Sequence, residues 1–162
     1  MVTNRINRGK DFEEVIKQSF LKVPNVSVDR LPDPTNGYLG IRNVCDFIVY
    51  KYPRQYYVEC KSVHGNTFPL ANLSRNQYDG MLEKSKIAGV VAGVFIWFVD
   101  HDVTVFVPID QIKHAKEYDK KSIRYDDTFV RYIPIVGKKK RVFFDYDMTD
   151  FFEKVEDQYG RD

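Results

Sequence analysis

Two short apolar runs joined by a turn constrain the fold of this chain more than any other feature. Residues 44–52 (VCDFIVYKY) and 56–61 (YYVECK) are rich in Val, Ile, Phe and Tyr, which favours β-strands. Pro53 lies between them, and proline suits a turn but cannot continue a central hydrogen-bonded ladder. The two runs therefore predict an antiparallel hairpin.

The register of this hairpin predicts which side chains converge. A tight turn centred on Tyr52-Pro53 places Asp46 opposite Glu59, with the two β-carbons about 5 Å apart. Strand alternation puts Lys61 on the same face as Glu59 and Cys60 on the other face. Burying two carboxylates and an ammonium on apolar strands is costly unless a metal or a partner compensates them. We favour a functional site over the alternative, a surface salt bridge on an amphipathic hairpin.

The two cysteines face each other under the same register. Cys45 and Cys60 would lie on the side away from the carboxylates, and we interpret them as reduced core residues. A redox pair or a zinc half-site is the alternative, but no second Cys pair or His cluster completes a ligand set. This cysteine usage, the absence of any apolar run of membrane-spanning length and a polar start predict a cytoplasmic protein without membrane contact.

Composition and charge place the chain among soluble globular proteins that suit a polyanionic partner. It has 162 residues, of which 43% are hydrophobic and 30% charged, so we expect a single domain over residues 1–162. Residues 143–162 have a net charge of −5, so the first 142 residues have a net charge of +7. A basic body of this kind suits nucleic acid.

Hydrophobic periodicity predicts the order of the elements. Helices are expected near residues 8–21, 75–88, 110–120 and 147–159, with Asn7 and Ser74 capping the first two. Strands are expected near 26–31, 44–52, 56–61, 89–99, 103–109, 132–136 and 141–147. The strand at 89–99 is apolar enough to be buried on both faces. The order indicates an α/β fold with a mixed central sheet flanked by helices. The core is expected over residues 7–121, followed by a basic hairpin with Gly137–Lys140 at its tip and an acidic C-terminal helix within 122–162.

A resemblance to a known family follows from these motifs. A leading helix, a strand with Asp, a strand with E-x-K and a further helix resemble the PD-(D/E)XK nuclease superfamily, which has a restriction-endonuclease-like fold. More closely, the chain resembles the RecU family of Holliday junction resolvases, including phage-borne relatives. The matching residues are Asn7-Arg8-Gly9 with Phe12-Glu13, then Asp46 with Glu59-Cys60-Lys61, and Phe68-Pro69-Leu70 with Asn72 and Gln77.

The chain departs from the family pattern in three places. Cys45 precedes Asp46 where the superfamily often has proline. Residues 26–42 are short where RecU proteins have a long projecting insertion that enters the junction. The lysine-rich hairpin and the acidic tail match no feature of the family. Selectivity for junctions is therefore less firmly implied than nuclease chemistry.

The resemblance implies a metal-dependent endonuclease that resolves four-way DNA junctions by paired symmetric nicks, which requires a homodimer. Asp46, Glu59 and the Cys60 carbonyl would bind Mg²⁺, with Mn²⁺ as a substitute. Lys61, charged, would orient the attacking water or stabilise the phosphorane. The alternatives are a nuclease of the same fold acting on other branched or duplex DNA, and a non-catalytic DNA-binding module.

The remaining candidates each have an ordinary structural explanation beside the functional one. Glu13 would complete the metal site or hold Lys61, but it also suits a solvated helix face. Gln77 would orient water, but without the resemblance it is an ordinary polar helix residue. Arg5, Arg8, Lys10 and Arg75 are candidate phosphate contacts, although each alone fits an ordinary solvated charge better. The hairpin residues Lys138, Lys139, Lys140 and Arg141 suit a DNA contact and a soluble exposed hairpin equally.

Overall fold

The structure is a computed structural model that describes residues 8–32, 43–141 and 143–160. Its helices are α1 (Arg8–Leu21), α2 (Arg75–Ser85), α3 (Ile109–Glu117) and α4 (Met148–Tyr159). Its strands are β1 (Ser27–Arg30), β2 (Phe47–Lys51), β3 (Arg54–Val63), β4 (Thr67–Pro69), β5 (Val90–Phe98), β6 (Val103–Pro108), β7 (Ser122–Arg124), β8 (Ile133–Pro134), β9 (Gly137–Lys140) and β10 (Phe143–Tyr146). The predicted cap Asn7, the candidate Arg5 and most of the segment 26–42 lie outside the described residues.

Six strands form the central sheet, in the order β1-β2-β3-β5-β6-β8. β3 and β5 run parallel, and the other neighbouring pairs are antiparallel. Two small ribbons, β4 with β7 and β9 with β10, lie outside it. Helices cover this mixed sheet, which confirms the predicted fold class. Within the described residues, none of the helices is both long and apolar enough to cross a membrane.

The predicted register of the first hairpin is confirmed. Phe47 pairs with Val58 and Lys51 pairs with Arg54. β3 is longer than predicted because it pairs along nearly its whole length with β5, from Gln55 to Val63. β5 is buried on both faces, as its continuous apolar sequence indicates.

The two faces of the sheet have separate apolar cores. On one face, α1 and α4 pack against the sheet through residues such as Phe20, Phe151 and Val155, all fully buried. On the other face, α2 and α3 contribute Met81 and Ile112. α4 thus supplies part of the first hydrophobic core.

The predicted position of the lysine-rich hairpin tip is wrong. Gly137–Lys140 forms strand β9, and the chain turns at Arg141, before β10 begins at Phe143. Lys138 pairs across the ribbon with Asp145, and Lys140 Nζ lies 3.4 Å from a carboxylate oxygen of the same aspartate. Opposite charges on facing strands stabilise a pairing that lysine-rich sequence alone does not indicate.

The predicted shared face of the two cysteines is also wrong. Both are free and buried, but Cys45 belongs to the core under α2 and α3, whereas Cys60 belongs to the core under α1 and α4. β2 begins at Phe47, so strand alternation does not extend back to Cys45.

Candidate active site

Asp46 lies immediately before β2 and is held by three hydrogen bonds. Its N–H donates to the Val58 carbonyl at 3.0 Å, and its own carbonyl accepts from the Leu31 N–H at 2.8 Å. Its carboxylate oxygen Oδ2 accepts from the Cys60 N–H at 2.8 Å. The side chain is therefore directed across the hairpin toward β3.

Glu59 and Lys61 lie on one face of β3, as alternation predicts. Glu59 is 3% exposed. Lys61 Nζ lies 3.4 Å from Glu59 Oε1, and the lysine side chain is 27% exposed, so the ammonium reaches solvent at the edge of the site. Glu59 Oε2 is buried and has no hydrogen-bond partner among the described residues. The neighbouring Asp46 carboxylate can accept a hydrogen bond from Glu59 only while Glu59 is protonated, which helps to raise the pKa of Glu59 and to lower that of Asp46.

Both carboxyl groups hold their protons more tightly than exposed ones do. Burial raises the pKa of Asp46 to about 6, although the Cys60 N–H opposes the shift. Burial and the neighbouring charge of Asp46 raise the pKa of Glu59 to about 8, against the opposing effect of Lys61. Two carboxyl groups that resist ionisation together are a site at which a bound cation would favour the ionised forms.

The donor set fits a hard divalent cation. Across residues 8–32, 43–141 and 143–160, no three His, Cys, Asp or Glu side chains converge as a metal-binding group. Mg²⁺ characteristically uses one or two carboxylates and keeps several waters, so Asp46 and Glu59 satisfy its requirement. The buried, unpartnered Glu59 Oε2 is an oxygen that such an ion would satisfy. Burial raises the pKa of the Cys45 thiol to about 12 and that of Cys60 well above its usual value. The two thiols lie in separate cores and so do not meet as a ligand pair.

Glu13 on α1 is electrostatically connected to this site. Its negative charge contributes to the raised pKa of Asp46. Its Oε2 accepts a hydrogen bond of 3.1 Å from Arg30 Nη2 at the end of β1. Arg30 pairs with Phe47, the residue after Asp46, in the β1–β2 ladder. The structure thus brings together Glu13 and the three residues of the predicted site and adds Arg30.

Arg30 is the residue that sequence reasoning missed. A basic residue near the end of the strand predicted at 26–31 is a usable signal, because that strand precedes the Asp46 hairpin. The pairing of β1 with β2 was needed to place it beside Glu13.

Gln77 has a structural role at the start of α2. Its side-chain Oε1 accepts from the Ser74 N–H at 3.1 Å, and its own N–H donates to Ser74 Oγ at 3.2 Å. This reciprocal arrangement is a capping box, and it confirms the predicted Ser74 cap. Among the described residues, Gln77 makes no hydrogen bond to Asp46 or Glu59, so its catalytic role stays a prediction.

Three of the basic candidates lie at the starts of helices. Arg8 and Lys10 are exposed at the start of α1, and Arg75 is exposed in the first turn of α2, where it pairs with Asp79 at 3.4 Å. Their roles as phosphate contacts stay predictions.

The hairpin lysines lie beside the other end of α1. Lys139 Nζ is 2.6 Å from Asp102 Oδ2, and Lys140 shares Asp145 with Lys22, the residue after α1. Lys22 lies nine residues after Glu13, about 14 Å along a helix axis. The hairpin with Lys138, Lys139, Lys140 and Arg141 is therefore a second surface, partly neutralised by acids, at a distance from the carboxylates.

The chain is similar to proteins of DNA recombination. The family model described as Recombination protein U (RecU) matches residues 15–149. No curated protein matches the chain. A solved structure, Hjc of Archaeoglobus fulgidus, described as a Holliday junction resolvase from an archaeal hyperthermophile, is 16% identical, with a TM-score of 0.48 over 64% of this chain and 78% of that chain. The family match includes Asp46, Glu59, Lys61 and Gln77 but begins two residues after Glu13.

Proposed function

Because the chain belongs to the RecU family of Holliday junction resolvases, we propose that it is a metal-dependent endonuclease that resolves four-way DNA junctions by paired nicks. One observation supports the catalytic part above all others. The buried Glu59 carboxylate has an unpartnered oxygen beside Asp46, and Lys61 Nζ lies 3.4 Å from its other oxygen. Burying a carboxylate without a compensating partner destabilises a fold, so we interpret Glu59 as part of a functional site.

Asp46, Glu59 and the Cys60 carbonyl are the groups that would hold the cation, which we propose to be Mg²⁺, with Mn²⁺ as a substitute. When bound, a divalent cation polarises a phosphate oxygen and lowers the pKa of water at the site.

The protein's own groups prepare the site for hydrolysis. The Cys60 N–H keeps the Asp46 carboxylate pointing at β3. Lys61, anchored by Glu59 and partly exposed, is placed to orient an attacking water or to balance the charge that develops on phosphate. Burial of Glu59 lowers the local dielectric response, so each of these charges acts more strongly than it would in water.

Glu13 and Arg30 form the outer part of the proposed site. Arg30 fixes the Glu13 carboxylate at 3.1 Å, and Glu13 adds negative charge beside Asp46. An added negative charge strengthens the attraction of the site for a cation. We propose that Gln77 lies near enough to the substrate strand to assist, in addition to capping α2.

Paired nicks on opposed strands require two sites related by a two-fold axis, so we propose a homodimer. Arg5, Arg8, Lys10 and Arg75 are proposed to contact the phosphates near the cut. The hairpin surface of Lys138, Lys139, Lys140 and Arg141 would bind a neighbouring arm. We also propose a cytoplasmic protein, in the bacterial host if the chain is encoded by a phage.

A cleavage assay on branched substrates tests this proposal. A synthetic four-way junction, a flap and a linear duplex are incubated with the protein and Mg²⁺, Mn²⁺ or EDTA, with Asp46→Asn as the inactive control. We expect symmetric nicks in the junction with either metal and none with EDTA. Equal cleavage of flap or duplex would indicate a nuclease with another target. Binding without cleavage under every condition would indicate a non-catalytic module.

A further inference from the structure

α2 has a glycine in its middle, at position 80. Glycine is the least favourable residue in a helix interior after proline, because it loses the most backbone freedom on folding. A glycine in the interior of a helix can permit a close approach of another group. The neighbours of Gly80 show which group this is.

Val44 occupies the space that a side chain at position 80 would need. A β-carbon built on Gly80 would lie 2.2 Å from Val44 Cγ1 and 2.8 Å from Val44 Cβ, whereas Val44 Cα would lie 3.8 Å away. The first two separations are far below a normal contact. Valine is branched at Cβ and its χ1 angle is stiff, so rotation of its side chain does not relieve the overlap.

α2 contacts the segment before Asp46 at further points on the same side. Asn76, one helical turn before Gly80, donates from Nδ2 to the Asn43 carbonyl at 3.4 Å. Met81 is fully buried in the same core as Cys45. The side of α2 with Asn76 and Gly80 therefore sets the position of residues 43–45.

This segment ends at Asp46, which has little freedom to absorb a displacement. Its N–H and carbonyl are bonded to Val58 and Leu31 on the two neighbouring chain segments. Its carboxylate is bonded to the Cys60 N–H at 2.8 Å. A shift of about 1 Å at Val44, two residues away, would compete with these bonds.

We propose that Gly80 is a positioning residue for the active site: the absence of a β-carbon on α2 lets Val44 pack against the helix and thereby sets the Asp46 carboxylate. This inference rests on the proposed metal-binding role of Asp46. It assigns a function in the site to a glycine that contacts neither carboxylate.

The first test measures metal binding and the Asp46–Cys60 hydrogen bond in Gly80→Ala. Mn²⁺ alone is the probe, and its dissociation constant is measured by electron paramagnetic resonance on folded protein. We expect binding at least tenfold weaker than in the parent, the range found when a supporting group of a metal site is removed. Amide hydrogen exchange of Cys60, measured without metal, should be accelerated at least tenfold more than that of Val94 in the middle of the sheet, whose exchange reports global stability.

Substitutions at Val44 provide a graded rescue. Combining Gly80→Ala with Val44→Ala leaves the 2.8 Å overlap with Cβ, and combining it with Val44→Gly leaves only the ordinary 3.8 Å contact with Cα. We expect Mn²⁺ affinity and Cys60 protection to rise in that order. Val44→Ala and Val44→Gly alone measure what each change costs without the overlap. If Gly80→Ala does not fold, the comparison of the two double variants still decides the question.

Gly137→Ala is a matched control elsewhere in the fold. Its added β-carbon would lie 2.8 Å from Tyr146 Cδ1, in the β9–β10 ribbon. We expect it to lower stability and leave Mn²⁺ affinity unchanged.

The outcomes separate this inference from the proposed function. A parent protein that does not bind Mn²⁺ would refute the metal site, and the exchange of the Cys60 amide would still show whether Gly80 positions Asp46. A parent that binds Mn²⁺ beside a folded Gly80→Ala variant with the same affinity and the same exchange would overturn the inference. Equal Mn²⁺ affinity and equal Cys60 protection in the two double variants would also overturn it.

Discussion

The Cys60 N–H donates a 2.8 Å hydrogen bond to Asp46 Oδ2, so the backbone beside one acidic residue orients the carboxylate of the other. Glu59 precedes Cys60 on β3 and faces the opposite way, toward Lys61. The three charged groups are thus positioned by the backbone of a single hairpin. A substitution of Asp46 by asparagine removes the negative charge but keeps an oxygen that can accept the hydrogen bond from the Cys60 N–H. The effects of charge and of geometry at this position can therefore be measured separately.

Asp46→Asn should abolish cleavage while preserving the fold and the junction binding. The amide oxygen keeps the bond from Cys60, but the negative charge that favours a cation is lost. We expect a loss of cleavage of at least about 100-fold, comparable to the loss of a principal electrostatic group in other enzymes. Glu59→Gln should behave in the same way. Gel-shift titration in Ca²⁺ beside a cleavage time course measures both properties, and cleavage equal to the parent would refute the assignment.

Stability without metal should decrease as pH rises. The pKa values of Asp46 and Glu59 are higher in the folded protein than in an unfolded chain, so the folded state binds more protons. That stabilisation is fully present below about pH 4 and is lost as pH rises through about 6 and then about 8. The slope should be on the order of 1 kcal/mol per pH unit for each group that loses its proton.

Urea unfolding in EDTA between about pH 5 and about pH 8.5, a range that includes both raised pKa values, measures this slope. Glu59→Gln should reduce the slope in the upper half of this pH range. Added Mg²⁺ should stabilise the parent more at high pH than at low pH, because the cation binds the ionised carboxylates. A stability that rises with pH in EDTA would contradict the burial of these two acids.

Lys61→Ala should slow cleavage without releasing the metal. Lys61 lies 3.4 Å from Glu59 and is not one of the proposed ligands. We expect a rate loss of about 100-fold, with Mn²⁺ affinity near that of the parent once Glu59 is ionised. Loss of the ammonium also removes an interaction that lowers the Glu59 pKa, so that pKa should rise further and Mn²⁺ binding should move to higher pH. Lys61→Arg retains the charge and is the matched control. A loss of Mn²⁺ binding in Lys61→Ala that raising the pH does not restore would contradict the positioning role.

Glu13→Gln should lower the pKa of Asp46, because the charge of Glu13 contributes to raising it. Cleavage should fall about tenfold as the site loses negative charge, while the fold remains. A carbon-13 NMR titration of the Asp46 carboxyl group measures the first effect. Glu14→Gln, on the adjacent exposed position, is the control. Complete loss of Mn²⁺ binding in Glu13→Gln would instead identify Glu13 as a direct ligand.

Replacing the three lysines of β9 with glutamine should weaken junction binding by about tenfold in a salt-dependent manner. The dependence of affinity on salt should become less steep by about one unit for each phosphate contact removed. A variant with Lys113, Lys116 and Lys120 replaced has the same change in net charge near α3 and serves as the control. Equal losses in both variants would mean that overall charge, and not the hairpin, determines affinity.

The hairpin of Asp46 and Glu59 was predictable because its determinants are contiguous. Apolar alternation and the Pro53 turn specify the register, and the observed pairing of Phe47 with Val58 follows from it. β5 and the Ser74 cap were equally predictable from the sequence, since each depends on a short local pattern. The face of Cys45 was not predictable by the same rule, because alternation ends where the strand begins.

The sequence by itself determined the order of the elements, the pairing of the first hairpin and the chemical types gathered on it. Local sterics and the period of the side chains are sufficient for that. Only the tertiary structure decided that Arg30 fixes Glu13, that α4 completes a core and that Gly80 admits Val44. These contacts join residues far apart in the chain, and they depend on the packing of whole elements, which no local pattern specifies.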